Sequence, residues 1–154
     1  MSRSNIEDAR IEGADIIEVR REVYLVPDAA TLALSASLSG RLLVFPNLTA
    51  DCTITMPAEV KGLEYWFQYG GAAADAQDWI FDTGAEVNFF VGGVTHSDLD
   101  GDTQAPVYSN GSSHSKFTVL VPEVGTLVHM VCDGLKWYIN GNVSSATVCT
   151  FAAQ

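Results

Sequence analysis

From Ala29 onward the sequence breaks into apolar runs of three to seven residues, each bounded by Gly, Pro, Asn or Asp. The runs are Arg41–Phe45, Cys52–Met56, Leu63–Tyr69, Trp79–Phe81, Glu86–Val91, Lys116–Val121, Leu127–Cys132, Trp137–Ile139 and Ala146–Phe151. Recurrence at about 8–12 residues with turn signals between is the texture of sandwiches and barrels. Cys52-Thr53-Ile54-Thr55-Met56 alternates apolar and polar residues, as a strand covered on one face requires, and Lys116–Leu120 does so for most of its length. Asp133-Gly134 divides two runs and Asn140-Gly141 closes the next, both strong turn signals. Asp28–Leu38 fits a helix and fits a strand equally. The predicted fold class is all-β: an antiparallel β-sandwich or jelly-roll-like barrel with an N-terminal arm.

A chain of 154 residues reads as one domain, large enough to bury roughly two-thirds of its unfolded surface. With 47% hydrophobic and 18% charged residues it is too apolar for disorder. Residues 1–28 stand apart, holding 11 of the 27 charged residues and neither Phe nor Trp. The predicted division is an N-terminal arm over 1–28 and a β-rich domain over 29–154. Ile6, Ile11 and Ile16 follow no clean period, while Arg20–Val26 alternates as a short strand does. Ile6, Ile11, Ile16, Arg20 and Arg21 are the candidate partner-binding residues, in an arm that orders on a partner. Tyr65–Gly71 and Val87–Gly93 echo each other, both aromatic segments ending in a glycine pair. One duplication is too little for a repeat architecture, so the two are expected to be neighbouring strands. Ser97–Ser115, rich in Asp, Gly, Ser and Asn, reads as a long functional loop.

The net charge is -11, and beyond Asp28 only Arg41, Lys61, Lys116 and Lys136 face twelve carboxylates. Such a body repels phosphate backbones, so neither nucleic acid nor an anionic membrane is an expected partner. The charge suits keeping an apolar-rich protein soluble. No run approaches the roughly 18 apolar residues of a membrane span, and no signal peptide is expected. Cys52, Cys132 and Cys149 are far apart with no C-x-x-C spacing, and read as small buried hydrophobes rather than a disulfide framework.

Asp98-Leu99-Asp100-Gly101-Asp102 sets three carboxylates at alternate positions around a glycine, a pattern that suits calcium. The sixth and twelfth positions, Thr103 and Ser109, lack the glycine and glutamate of a helix-flanked calcium loop. The metal candidates are therefore Asp98, Asp100 and Asp102, set against a solvated acidic loop, and no other cofactor is expected. His96 and His114 flank the long loop and could share a site with Asp98, without zinc spacing; His129 reads as an outward strand position. Tyr65-Trp66-Phe67 reads as core more readily than as a ligand platform. Sequons at Asn47, Asn110 and Asn142 are unremarkable in a chain this rich in Ser, Thr and Asn. No nucleophile motif or phosphate-cradling loop occurs, and no enzymatic activity is expected.

Several segments together carry a family likeness. They are Leu38–Phe45 with its early glycine, Cys52–Pro57, Lys61–Phe67, and Gly125–Gly141 with its Asp133-Gly134-x-x-Trp137-Tyr138 hairpin. This pattern resembles small β-rich virion proteins of tailed bacteriophages, including capsid decoration (cement) proteins, over about residues 32–145. Met56-Pro57 stands where that pattern favours Leu-Pro. The resemblance implies a non-enzymatic virion protein on the capsid exterior, made in the bacterial cytoplasm. It would decorate and stabilise an icosahedral shell as a homotrimer bridging major capsid protein subunits. The alternative is a phage fibre or tail module that recognises a cell-surface glycan.

Overall fold

The computed structural model describes residues 21–72, 74–85, 87–98 and 100–154. In chain order the strands are β1 (Val23–Leu25), β2 (Thr31–Ala33), β3 (Leu42–Phe45), β4 (Cys52–Thr55), β5 (Glu64–Tyr69), β6 (Trp79–Asp82), β7 (Phe90–Asp98), β8 (Thr103–Tyr108), β9 (Lys116–Val119), β10 (Leu127–Cys132), β11 (Trp137–Ser144) and β12 (Thr150–Ala152). They form a seven-stranded sheet, β1-β3-β5-β10-β11-β7-β8, packed on a five-stranded sheet, β12-β9-β6-β4-β2. The expected all-β sandwich is present. Its sheets are open rather than closed into a barrel, and mixed rather than antiparallel. Five strand pairings are parallel, and five are antiparallel.

The parallel pairings come from winding. From β1 to β6 the chain alternates between the sheets, so each circuit lays one strand in the large sheet and one in the small. Val23, Leu42 and Trp66 fall in one register, and Thr31, Thr53 and Ile80 in the other. Hairpins with tight turns cannot make this pattern, because parallel neighbours need a crossover between them. Here the crossover is the strand in the opposite sheet. A chain that winds this way has a repeat, but its circuits differ in length, which hides the period from the sequence.

The corners of the winding are held by aspartates. Asp28 Oδ1 accepts the Thr49 N–H at 2.9 Å, Asp51 Oδ1 the Asp78 N–H at 2.9 Å, and Asp78 Oδ1 the Val121 N–H at 3.0 Å. Each carboxylate ties its own circuit to the next segment of chain. Asp75, buried, accepts from Leu48 at 2.8 Å and from Gln77 at 3.2 Å. These bonds satisfy N–H groups that no strand ladder reaches.

Between the sheets lies an aromatic core. Phe45 of β3 meets Trp79 of β6 with ring centroids 4.5 Å apart, and Phe67 of β5 meets Phe81 of β6 edge-on at 4.7 Å. Trp137 of β11 adjoins Tyr65 at 5.9 Å. Tyr65 and Phe67 are fully buried, as expected for the core, whereas Trp66 between them points outward by strand alternation. All three cysteines are buried and unpaired.

Some local expectations change. Asp133-Gly134 is the β10–β11 turn: Gly134 has φ 99°, and Asp133 Oδ1 accepts the N–H groups of Leu135 and Lys136 at 2.8 Å. Asn140-Gly141 is no turn but lies inside β11, opposite His129 and Val128. A Cβ at Gly141 would sit 2.2 Å from the Leu127 carbonyl oxygen, so the glycine serves close strand approach. Asp28–Leu38 supplies β2 and a single 3-10 turn, Ala36–Leu38, rather than an α-helix. The echoing segments fall at β5 and at the entry to β7, which β10 and β11 separate, so they are not neighbours. Much of Ser97–Ser115 is not loop: β8 pairs along β7 from Gly93 to Asp98. Of the residues assigned to an arm, Val23–Leu25 form the edge strand β1, and residues 1–20 lie outside the described ones.

Two consequences are measurable. Trp137 is fully buried, so Trp137→Ala should lower unfolding free energy by about 3–5 kcal/mol, read by denaturant titration. Burial pushes the Cys52 and Cys149 thiols up to about 11, with the Asp28 charge adding to the effect at Cys52, and raises Cys132 as well. Thiolate is then scarce near neutrality. A thiol-disulfide reagent at mildly alkaline pH should find no fast-reacting cysteine in the native protein and all three after denaturation.

Candidate functional site: the outer face of the large sheet

The two sheets turn different chemistry outward. Across the small sheet one register row reads Thr31, Thr53, Ile80, Thr118 and Thr150. That is the polar cover a solvent-facing sheet ordinarily carries. The matching row across the large sheet reads Val23, Leu42, Trp66, His129 and Asn140. The row beside it reads Leu25, Val44, Gln68, Leu127 and Asn142.

At the β1 side the two rows form a four-residue aliphatic block, Val23, Leu25, Leu42 and Val44. Leu25 is 74% exposed and Val23 57%, while Leu42 and Val44 are half-buried. In β3 the sequence Leu42-Leu43-Val44-Phe45 is apolar on both faces. Such a run belongs to a strand covered on both sides. Leu43 and Phe45 are sealed in the core, whereas their outward neighbours are covered only in part. The far edge of β1 has no strand partner among the described residues.

Beside the block stands a stacked group. The His129 ring lies on the Trp66 ring at 3.8 Å and 20°. The Arg21 guanidinium sits 4.5 Å from the centroid of the same indole. Glu64 Oε1 takes hydrogen bonds from His129 Nε2 at 2.8 Å and from Trp66 Nε1 at 3.1 Å. Asn140 Nδ2 lies 3.3 Å from His129 Nδ1. In the neutral imidazole, an amide donating to Nδ1 leaves Nε2 to carry the proton given to Glu64. At the rim, Arg41 and Glu22 pair at 2.7 Å. Cross-strand pairing dictates the group: Trp66 of β5 is opposite His129 of β10, which is opposite Asn140 of β11. His129 is thus the outward strand residue expected, and Arg21 is the one candidate arm residue within the described range. Ile6, Ile11, Ile16 and Arg20 lie outside it.

The acidic motif resolves differently. Asp98 ends β7, and its Oδ1 accepts the N–H groups of Asp100 at 3.0 Å and Gly101 at 2.9 Å, so that oxygen closes the β7–β8 turn. Ser97, Asp98, Asp102, Thr103 and Gln104 line a cleft of about 280 Å³ that does not include Asp100. Asp98 thus caps the turn through Oδ1 and shares its cleft with Asp102 but not with Asp100. Among the described residues no three His, Cys, Asp or Glu side chains gather as a metal set. The histidines do not join Asp98 either. His96 is buried against the Ser145 carbonyl at 2.9 Å, and His114 packs on Phe151 near the opposite end of β7.

A scan against protein-family models finds no match for this chain, and a search of curated proteins finds none. Among the described residues no helix is long and apolar enough to cross a membrane.

Glu64 gives a pH signature. The hydrogen bond from His129 is the main influence holding its carboxyl below the usual 4.5, with Trp66, the His129 charge and Arg21 assisting and burial opposing. A lowered folded value means stabilisation that is complete above the unfolded value and lost as pH falls through the folded one. Glu64→Gln should therefore destabilise most near neutrality, with the gap to wild type closing as pH falls below the usual carboxylate range. Urea midpoints at neutral and at acid pH check this; an unchanged gap would contradict it.

Proposed function

We propose that this chain is a non-enzymatic virion structural protein of a tailed bacteriophage. In this reading it decorates and stabilises an icosahedral capsid from the outside, as a homotrimer that bridges major capsid protein subunits. The observation that carries the reading is β3, apolar on both faces, with the aliphatic block of Val23, Leu25, Leu42 and Val44 turned away from the protein's own core. An apolar sheet face of this kind fits protein packed against it better than water. The resemblance seen in Leu38–Phe45, Cys52–Pro57, Lys61–Phe67 and Gly125–Gly141 supplies the kind of assembly.

The physical work asked of such a protein suits the fold. A cement protein binds the assembled shell and not its free subunits, so it stabilises the shell by mass action. Several copies joined in one body add multivalence, which multiplies weak contacts without new chemistry. A body filled by interlocked aromatics, with its turns pinned by aspartates, keeps such contacts at fixed spacing.

The test is co-sedimentation of the purified full-length protein with expanded, undecorated shells of tailed phages. Saturable binding that raises the temperature at which the shell comes apart is the expected result. Absence of shell binding, together with retention on an immobilised cell-surface glycan, would overturn the reading and favour a fibre or tail module.

A further inference from the structure

We infer that the aliphatic block on the outer face of the large sheet is where copies of this chain meet one another, packing the same surface around a shared axis. The inference rests on the reading above, that the protein works by assembly, and it names the partner of that face.

Electrostatics selects the partner. Each copy carries a net charge of -11, so two copies repel over most of their surfaces. Four aspartates follow one another at the corners of the winding, Asp28, Asp51, Asp75 and Asp78. Asp98, Asp100 and Asp102 crowd the β7–β8 turn. Among the described residues the block is bordered instead by Arg21, Arg41, Glu22 and Glu64, two charges of each sign. Like-charged copies meet the least local repulsion there, and they remove apolar area from water as they approach.

The rim is also self-complementary. Arg41 and Glu22 are bonded to each other at one edge of the block, and their side chains remain 35% and 67% exposed. A twofold contact brings an identical pair from the next copy to the same edge, where each arginine can meet the neighbour's glutamate, whereas around a threefold axis one side of the block meets the other side of the next copy's. A strongly basic partner would be drawn to the acidic corners instead, and an acidic one would find no net positive face.

Salt separates this contact from one driven by charge attraction. Screening removes the long-range repulsion between copies and leaves apolar burial intact. Self-association should therefore hold or tighten from low to high salt, whereas attraction between unlike charges weakens.

The experiment is the native mass of the full-length protein by light scattering over a concentration series, at low and at high salt. Wild type should form a discrete oligomer, three copies if the axis is threefold. Leu25→Lys should weaken association by roughly 30-fold or more, because it puts a charge at the centre of the contact. Leu25 is exposed on an edge strand, so its replacement leaves the core alone, and an unchanged unfolding transition checks that. Val87→Lys is the control: Val87 is 77% exposed but lies in the β6–β7 loop, away from the block, and should leave the mass unchanged. A wild-type monomer at all concentrations, or an oligomer indifferent to Leu25→Lys, would overturn the inference. A monomer that still binds shells sinks this contact and the homotrimer, and spares only the shell-binding part of the reading. An oligomer that Leu25→Lys dissolves, but that binds no shell, does the reverse.

Discussion

A chain that winds between two sheets turns a corner after every strand, and each corner leaves backbone N–H groups that no ladder can take. An unpaired buried N–H costs about as much as a lost hydrogen bond. This protein meets the demand with carboxylates: Asp75 and Asp78 take the buried and half-buried N–H groups of Leu48 and Val121, and Asp28 and Asp51 take the exposed ones of Thr49 and Asp78. Asp82, Asp98 and Asp133 do the same within their own turns. Much of the acidity that looked like a general solubility device is therefore local turn chemistry. Once the corners are fixed, register follows, and register alone stacks Cys52 with Trp79 and Ile54 with Phe81 in the core.

The class of fold was legible because burial alternates with period two in most strands. Cys52-Thr53-Ile54-Thr55 and Glu64–Tyr69 each bury every second residue. Pairing was not legible, since a strand's period says which face is buried and not which strand lies beside it. Asn140-Gly141 misled for a related reason. The dipeptide favours a turn in isolation, but Gly141 here lets β11 pass within touching distance of Leu127 and Val128. The acidic motif stays open on sequence alone, because Asp-x-Asp-Gly-Asp spacing is shared by cation loops and by tight turns capped from their first carboxylate, as Asp98 caps the β7–β8 turn.

The site was half-written in the sequence. Leu42-Leu43-Val44-Phe45 does not alternate, and a non-alternating run in an otherwise alternating chain marks a strand that wants cover on two sides. The stack of Arg21, Trp66 and His129 could not have been read in advance, because it depends on β1, β5 and β10 sharing a sheet although they are distant in sequence. The stack and the block divide the work of one surface. Charges compensated in place by Glu64 and Glu22 keep the face neutral, and the aliphatic residues give it something to bury.

The central claim is that the outer face of the large sheet is the working surface and the threonine-covered face is not. Hydroxyl-radical footprinting of the full-length protein, read residue by residue by mass spectrometry in dilute and in assembled samples, tests it most directly. The account predicts that Val23 and Leu25 lose reactivity on assembly, while Val87 and Val148, also exposed in the single chain but in loops outside the face, keep theirs. Undiminished oxidation of Leu25 in the assembled state, with protection appearing elsewhere, would contradict it.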